Sequence, residues 1–233
     1  MNYELRPIVS LPNAIQKWLI HAGVSEETNI SQVLMEQDVW LKLKPDQKQW
    51  KQARATQFTS VDPPEFNWTM KLKVAPFLHI KALDQFSNGK GQMTISFMSI
   101  IPLRGIKNNA KVDQASLQRF LAETVWYPSA ARLPFISWES LDDHSAKATM
   151  SYGGTTGSGT FHFDQHGGFL QFRAWRYKES TPEAPLLEWI VTNERSEKRD
   201  GYTIPVKLSA AWKQDATKWT WLKVAVKEVK YRS

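Results

Sequence analysis

Residues 65–75 read EFNWTMKLKVA. Phe66, Trp68, Met70, Leu72 and Val74 alternate with Asn67, Thr69, Lys71 and Lys73. Successive strand side chains point to opposite faces, so this spacing predicts a strand with one dry face and one wet face. The period continues on both sides of it. Downstream, Leu78, Ile80, Ala82 and Phe86 keep the alternation, Asn88-Gly89 marks a tight hairpin turn, and Met93, Ile95 and Phe97 run back. Upstream, Asp62-Pro63-Pro64 breaks the pattern, because a proline donates no ladder hydrogen bond. Before the break lies a weaker strand over 51–61. Further upstream Val33, Met35, Val39, Leu41 and Leu43 share a face, with Pro45-Asp46 as the turn.

Strands resume over about 135–141, 145–152, 155–163, 169–177, 186–193, 202–213 and 218–231. Turn chemistry separates them: Asp142-Asp143, Gly153-Gly154, Gly167-Gly168, Asp200-Gly201 and Asp215. Two stretches carry helical periodicity instead. Over 12–22, Ile15, Trp18, Leu19 and Ala22 recur at i, i+3, i+4 and i+7 between Pro12 and Gly23. Over 113–126, Asp113 is placed to cap a helix whose stripe is Leu117, Phe120, Leu121, Thr124 and Val125, and Pro128 stops it. Trp126 falls opposite that stripe, so this end is apolar on more than one side and is expected to be surrounded.

Short loops between strands imply antiparallel neighbours and a meander. With no linker-like stretch and no fixed repeat, residues 1–233 read as one domain. A sheet this long curls or closes. The expected fold is mainly β (α+β): a long, strongly curved antiparallel sheet, half-barrel or barrel, of about 11–12 strands. The N-terminal helix precedes it, and the middle helix covers its concave face.

Composition narrows the chemistry. The 233 residues hold 30 Lys and Arg against 23 Asp and Glu, a net charge of +7, and no cysteine. Disulfides, thiol catalysis and cysteine-ligated metals are excluded. No apolar run approaches the ~18 residues of a membrane helix. The opening MNYELRPIVS has no apolar segment of the signal-peptide kind, so a cytoplasmic location is expected. Most of the charge excess falls in 198–233, where nine Lys and Arg face three acids. That stripe is either the wet face of the last strands or a surface for an anionic partner.

Several stretches together carry a resemblance: VDPPEFNW (61–68), LAETVWYPSA (121–130), WESLDDHSAKATMSYGGTTGSGTFHFD (138–164), FRAWRY (172–177) and GYTIPV (201–206). The chain resembles a bacterial family recorded only as an uncharacterised domain, which implies no catalytic or binding residues. In architecture it is similar to the lipoprotein-carrier (LolA-like) half-barrel, whose members hold acyl chains between sheet and helices. That likeness lies at the level of fold.

The remaining motifs are weighed by chemistry. His162-Phe163-Asp164-Gln165-His166 has ligand spacing on a strand, but Asp164–Gly168 reads as a turn, so no metal is expected. Asp142-Asp143-His144 reads likewise. Ser158 in Gly157-Ser158-Gly159 lacks the strand–turn–helix setting of a nucleophile; the glycines make room for the covering helix or a ligand. Glu123 follows Arg119 by four residues, which is ion-pair spacing, or else it is a buried acid that meets a ligand headgroup. Arg173 and Arg176 fall on opposite faces of one strand; one is expected to pair with an inward carboxylate, the other to be solvated. Trp68, Trp175, Trp189 and Trp212 read as core or cavity lining, and no nucleic-acid motif accompanies the 11 tryptophans.

These observations point to a non-enzymatic binder or carrier of a hydrophobic, lipid-like ligand, without a cofactor. Its expected lining is Phe66, Trp68, Phe97, Phe120, Trp126, Tyr127 and Trp175, with Glu123 as polar anchor. One alternative is a hydrolase or isomerase using Glu123 with His162 or Asp164. Another is a scaffold that meets partners through the basic C-terminal strands.

Overall fold

A computed structural model describes residues 3–99 and 101–233. Thirteen strands form one sheet. They are β1 (Gln32–Leu41), β2 (Lys51–Ser60), β3 (Glu65–Ala75), β4 (Leu78–Ser87), β5 (Lys90–Phe97), β6 (Ile101–Ile106), β7 (Ile136–Asp142), β8 (Ser145–Tyr152), β9 (Thr155–Phe163), β10 (Phe169–Tyr177), β11 (Leu186–Arg199), β12 (Tyr202–Gln214) and β13 (Thr217–Arg232). Helix α1 (Asn13–His21) precedes them and α2 (Ala110–Glu123) lies between β6 and β7. Two 3-10 turns, Thr124–Trp126 and Pro128–Arg132, carry the chain from α2 towards β7.

The strand order is β6-β5-β4-β3-β2-β1-β13-β12-β11-β10-β9-β8-β7, antiparallel throughout. The curled antiparallel sheet is as expected, with one strand more. That strand is β6, IPLRGI, whose Pro102 and Gly105 hide it from pattern reading. It lies at the sheet edge, where a missing N–H is tolerated.

The sheet curls until its two hairpin tips meet. Thr155 Oγ1 at the β8–β9 tip donates to Gly89 O at the β4–β5 tip, at 2.7 Å. Inside the curl α2 packs against β4 and β5 on one side and β8, β9 and β10 on the other. Small residues set the approach. A Cβ on Gly91 would lie 2.8 Å from Val112 O, and one on Gly157 would lie 2.7 Å from Gln118 Cγ. Of the glycines over 153–159, Gly157 makes room for the helix, while Gly153 receives the β4–β5 tip at Asn88 and Gly89.

The start of α2 departs from expectation. Asn109, not Asp113, is the N-cap, and its side chain accepts from Lys111 and Val112 N–H. Asp113 lies one turn in, where its carboxylate accepts from Gly91 N–H at 2.9 Å and Lys90 Nζ at 3.0 Å. A short acidic side chain in the first turn suits the helix dipole and here also ties α2 to β5. At the other end of the molecule α1 buries Trp18 against Phe161 and Phe163, with ring centroids 5.9 and 5.5 Å away.

Gly159 faces the ring of buried Phe172; an added Cβ would meet three ring atoms at 2.1–2.9 Å. Gly159→Ala is expected to lower unfolding free energy by about 1–3 kcal/mol, the cost of overpacking a filled core. Gly105→Ala, with no atom within 4 Å of the added carbon, is the near-neutral control. Urea denaturation of both variants measures the difference.

Candidate functional site

Inward positions of the alternating strands are apolar except for a few. Gln37 on β1, Gln57 on β2 and Asp84 on β4 occupy inner, buried positions. They converge with two α2 residues on one polar cluster. Arg119 donates from Nε to Glu123 Oε1 at 2.8 Å, from Nη1 to Asp84 Oδ2 at 2.6 Å and from Nη2 to Gln57 Oε1 at 3.2 Å. Gln57 Nε2 returns a bond to Glu123 Oε2 at 2.6 Å. The guanidinium lies over the rings of Phe66 and Trp68, 4.6 and 5.1 Å from their centroids. Trp68 Nε1 donates in turn to Gln37 Oε1 at 3.0 Å.

Burial works against the Arg119 charge, but Glu123 and Asp84 outweigh it and hold the group firmly protonated. The i,i+4 pairing of Arg119 with Glu123 is present, and it is buried, with the two side chains 15% and 11% exposed. Glu123 is therefore held by the protein's own arginine and glutamine. Burial, with the Glu123 charge added, pushes the neighbouring Tyr127 hydroxyl well above its ordinary range.

Phe66, Phe86, Phe120 and Tyr127 form a run of rings with successive centroids 5.9, 6.1 and 5.3 Å apart. Tyr127 Oη donates to Phe120 O at 2.8 Å and Trp126 Nε1 to Pro205 O at 2.9 Å. Phe66, Phe120 and Tyr127 are therefore joined through Phe86 in one run of packed rings, and Trp126 is tied to β12. Phe97 is different: it is half-buried on the inner row of β5, opposite Ile80. Trp175 points out of the sheet and is 65% exposed. Phe172, Ala174 and Arg176 take the inner positions of β10, so Arg176 and not Trp175 faces the inside of the curl.

The two arginines of β10 divide as alternation requires, with one surprise. Arg173 is exposed and pairs with Glu188 at 3.4 Å. Inward Arg176 has no carboxylate within 4 Å among the described residues; its Nε donates to Ala115 O on α2 at 3.1 Å. The inner carboxylates pair with Arg119 instead, because α2 brings that residue to them first.

Beside Arg176, register places Trp189, Trp212 and Trp219 directly opposite one another across β11, β12 and β13. Arg176 lies 4.3 Å from the Trp189 ring centroid and 5.9 Å from that of Trp212. Lys178 Nζ lies 4.8 Å from that of Trp219.

His162 and Asp164 lie apart from this cluster. His162 occupies an outer position of β9, between inward Phe161 and Phe163. The Asp164 carboxylate organises the next turn, accepting from His166 and Gly168 N–H, both at 2.8 Å. Neither bonds to Glu123 among the described residues. On the last strands, Lys213, Lys227 and Lys230 pair with Glu188, Asp38 and Glu228. The basic stripe is thus partly neutralised by neighbouring acids. A groove of about 580 Å³ lies on the outer face, lined by Leu34, Glu36, Thr56, Phe58, Thr69 and Lys230 among others.

The chain belongs to the family of unknown function DUF6920, matched over residues 9–231. No curated protein matches it. Among solved structures it is similar to a DUF1329 family protein from Desulfovibrio piger, at 11% identity and a TM-score of 0.51, covering 97% of this chain and 93% of that one. It also matches a LolA superfamily protein from Nitrosomonas europaea, at 10% identity and a TM-score of 0.49, covering 94% and 92%. Among the described residues no helix is long and apolar enough to cross a membrane.

Replacing Arg119 by Met leaves Asp84 and Glu123 buried beside each other without their cation. A loss of about 3–5 kcal/mol at neutral pH is expected. Adding Glu123→Gln should recover part of the loss at neutral pH. Urea unfolding of the single and double variants reads both effects.

Proposed function

We propose that the protein binds and carries a hydrophobic, lipid-like small molecule on the concave side of its sheet. The observation that carries this reading is a set of inner apolar side chains that the fold leaves only partly covered. Ile80, Ile95, Trp219, Trp221, Leu222 and Val224 pack on the core yet keep solvent contact. Phe97 completes the row on β5. Helix α2 packs chiefly on β4, β5, β8, β9 and β10, and the partly covered inner residues lie on β4, β5 and β13.

An acyl chain laid along such a row gains about 25 cal/mol for each Å² of apolar surface it covers, or about 0.8 kcal/mol per methylene. Concave, mostly apolar sites with few polar groups are the usual form of small-molecule sites. The rim agrees with a route for such a ligand. Val74, Phe77 and Leu78 at the β3–β4 turn and Ile101 and Leu103 on β6 are exposed, Phe77 by 94%. Lys71, Lys73 and Lys81 stand beside them in sequence, a composition suited to the surface of an anionic bilayer.

Of the residues first expected to line the site, Phe97 belongs to this row and Trp68 borders it. Phe66, Phe120, Trp126 and Tyr127 form its floor. Glu123 acts on the ligand only through the Arg119 cluster.

An anthroyloxy-labelled stearate should bind the protein and quench tryptophan fluorescence, and native mass spectrometry should retain the adduct. Ile95→Glu, on the inner row, should weaken binding tenfold or more. Thr56→Glu, on the outer face, should leave it unchanged. A protein that takes up no acyl probe, or two variants that behave alike, would refute the proposal.

A further inference from the structure

We infer that Arg176 and the tryptophans beside it form an anion-binding subsite that receives the carboxylate or phosphate head of the carried ligand. This inference rests on the carrier reading and adds to it the chemical class of the head.

The first support is an unpaired cation inside the fold. Arg176 is on the inner face of β10, and its only protein hydrogen bond among the described residues is from Nε to Ala115 O. That bond and the indoles of Trp189 and Trp212 fix the plane of the guanidinium. Its terminal nitrogens have no carboxylate within 4 Å, whereas Arg119 contacts both Asp84 and Glu123. Arg176 is half-buried, so its terminal nitrogens stay open to solvent and to an incoming ligand, and a charged side chain at an inner position without an ion pair points to a functional site. Burial draws its pKa down to about 10, and the neighbouring Arg119 charge adds to the fall against Asp84 and Glu123, which oppose it. The group is still charged at neutral pH.

The second support is independent of the arginine. Three indole N–H groups on the adjoining strands, those of Trp189, Trp219 and Trp221, are buried and have no acceptor among the described residues. Trp189 is 5% exposed. Buried donors are almost always satisfied, and three unsatisfied ones on β11 and β13, on either side of β12, call for an acceptor from outside the chain. Lys178 adds a second cation over Trp219. Two cations and three N–H donors, with no carboxylate paired to Arg176 or Lys178 among the described residues, are the complement of an oxyanion. A guanidinium with free terminal nitrogens binds carboxylate or phosphate oxygens in pairs.

The subsite adjoins the half-covered apolar row. Trp219 and Trp221 belong to both. An amphiphile can therefore lie with its chain along the row and its head at Arg176. The same oxyanion chemistry could come from a free phosphate, and the test separates the two sources.

Binding of dodecanoate, dodecyl phosphate, dodecanol and inorganic phosphate is read by tryptophan fluorescence. Dodecanoate and dodecyl phosphate are expected to bind tenfold or more tighter than dodecanol. Arg176→Gln should remove that preference and leave dodecanol binding within twofold, while Arg176→Lys should retain part of it. Trp189→Phe, which keeps a ring and removes one donor, should reduce the preference several-fold and serves if Arg176→Gln does not fold. Inorganic phosphate that fails to compete assigns the subsite to an amphiphile's head. Phosphate that binds alone and is lost in Arg176→Gln assigns it to a small free anion. If dodecanol binds as tightly as the anions, or Arg176→Gln and Trp189→Phe keep the preference, the subsite is refuted while the carrier reading stands. If none of the three amphiphiles binds, the carrier reading falls with it.

Discussion

The interaction on which the rest depends is the packing of α2 inside the curl of the sheet. Edge strands β6 and β7 are consecutive in sequence, and α2 lies between them. The helix packs on β4 and β5 on one side and on β8, β9 and β10 on the other, so one element holds both halves of the sheet. The contact between hairpin tips closes the same curl.

Enclosure then decides the electrostatics of the interior. A helix surrounded by sheet cannot turn its polar residues to solvent, so Arg119 and Glu123 meet the polar side chains of the opposing strands. Asp84 and Gln57 complete that set, and the positive charge gains stacking from Phe66 and Trp68. The same geometry leaves Arg176 on the far side of α2, held by a helix carbonyl and two indoles but without an acid. One inner arginine is tied into a buried ion cluster, and the other is bonded only to the helix carbonyl among the described residues.

Much of this was legible in the residues. The alternation of Phe66 to Val74 and the turn signals gave the meander, and the aromatic helix end gave the enclosure. The spacing of Arg119 and Glu123 gave their pair. What escaped has physical reasons. Strand parity is a matter of one residue, so Trp175 and Arg176 exchanged faces without any change in local pattern. An edge strand with a proline looks like a loop, which hid β6. Asn109 and Asp113 are both competent caps, and only the contact of Asp113 with β5 decides between them. Asp84, Gln57 and Gln37 were visible as polar residues at inward positions of otherwise apolar rows. That they converge depends on the curl, which local sequence does not encode.

The pairing of β1 with β13 carries a further consequence. Gln32 lies opposite Arg232, so the middle of the sheet is stitched from the two most distant parts of the chain. On the ribosome, the first six strands emerge and form hairpins with β1 as a bare edge, and that edge has no mate until the last strand has been translated. Such long-range closure is slow to nucleate and leaves a sticky border on the nascent polypeptide. The strand order alone thus keeps one edge of the nascent sheet open until the end of synthesis.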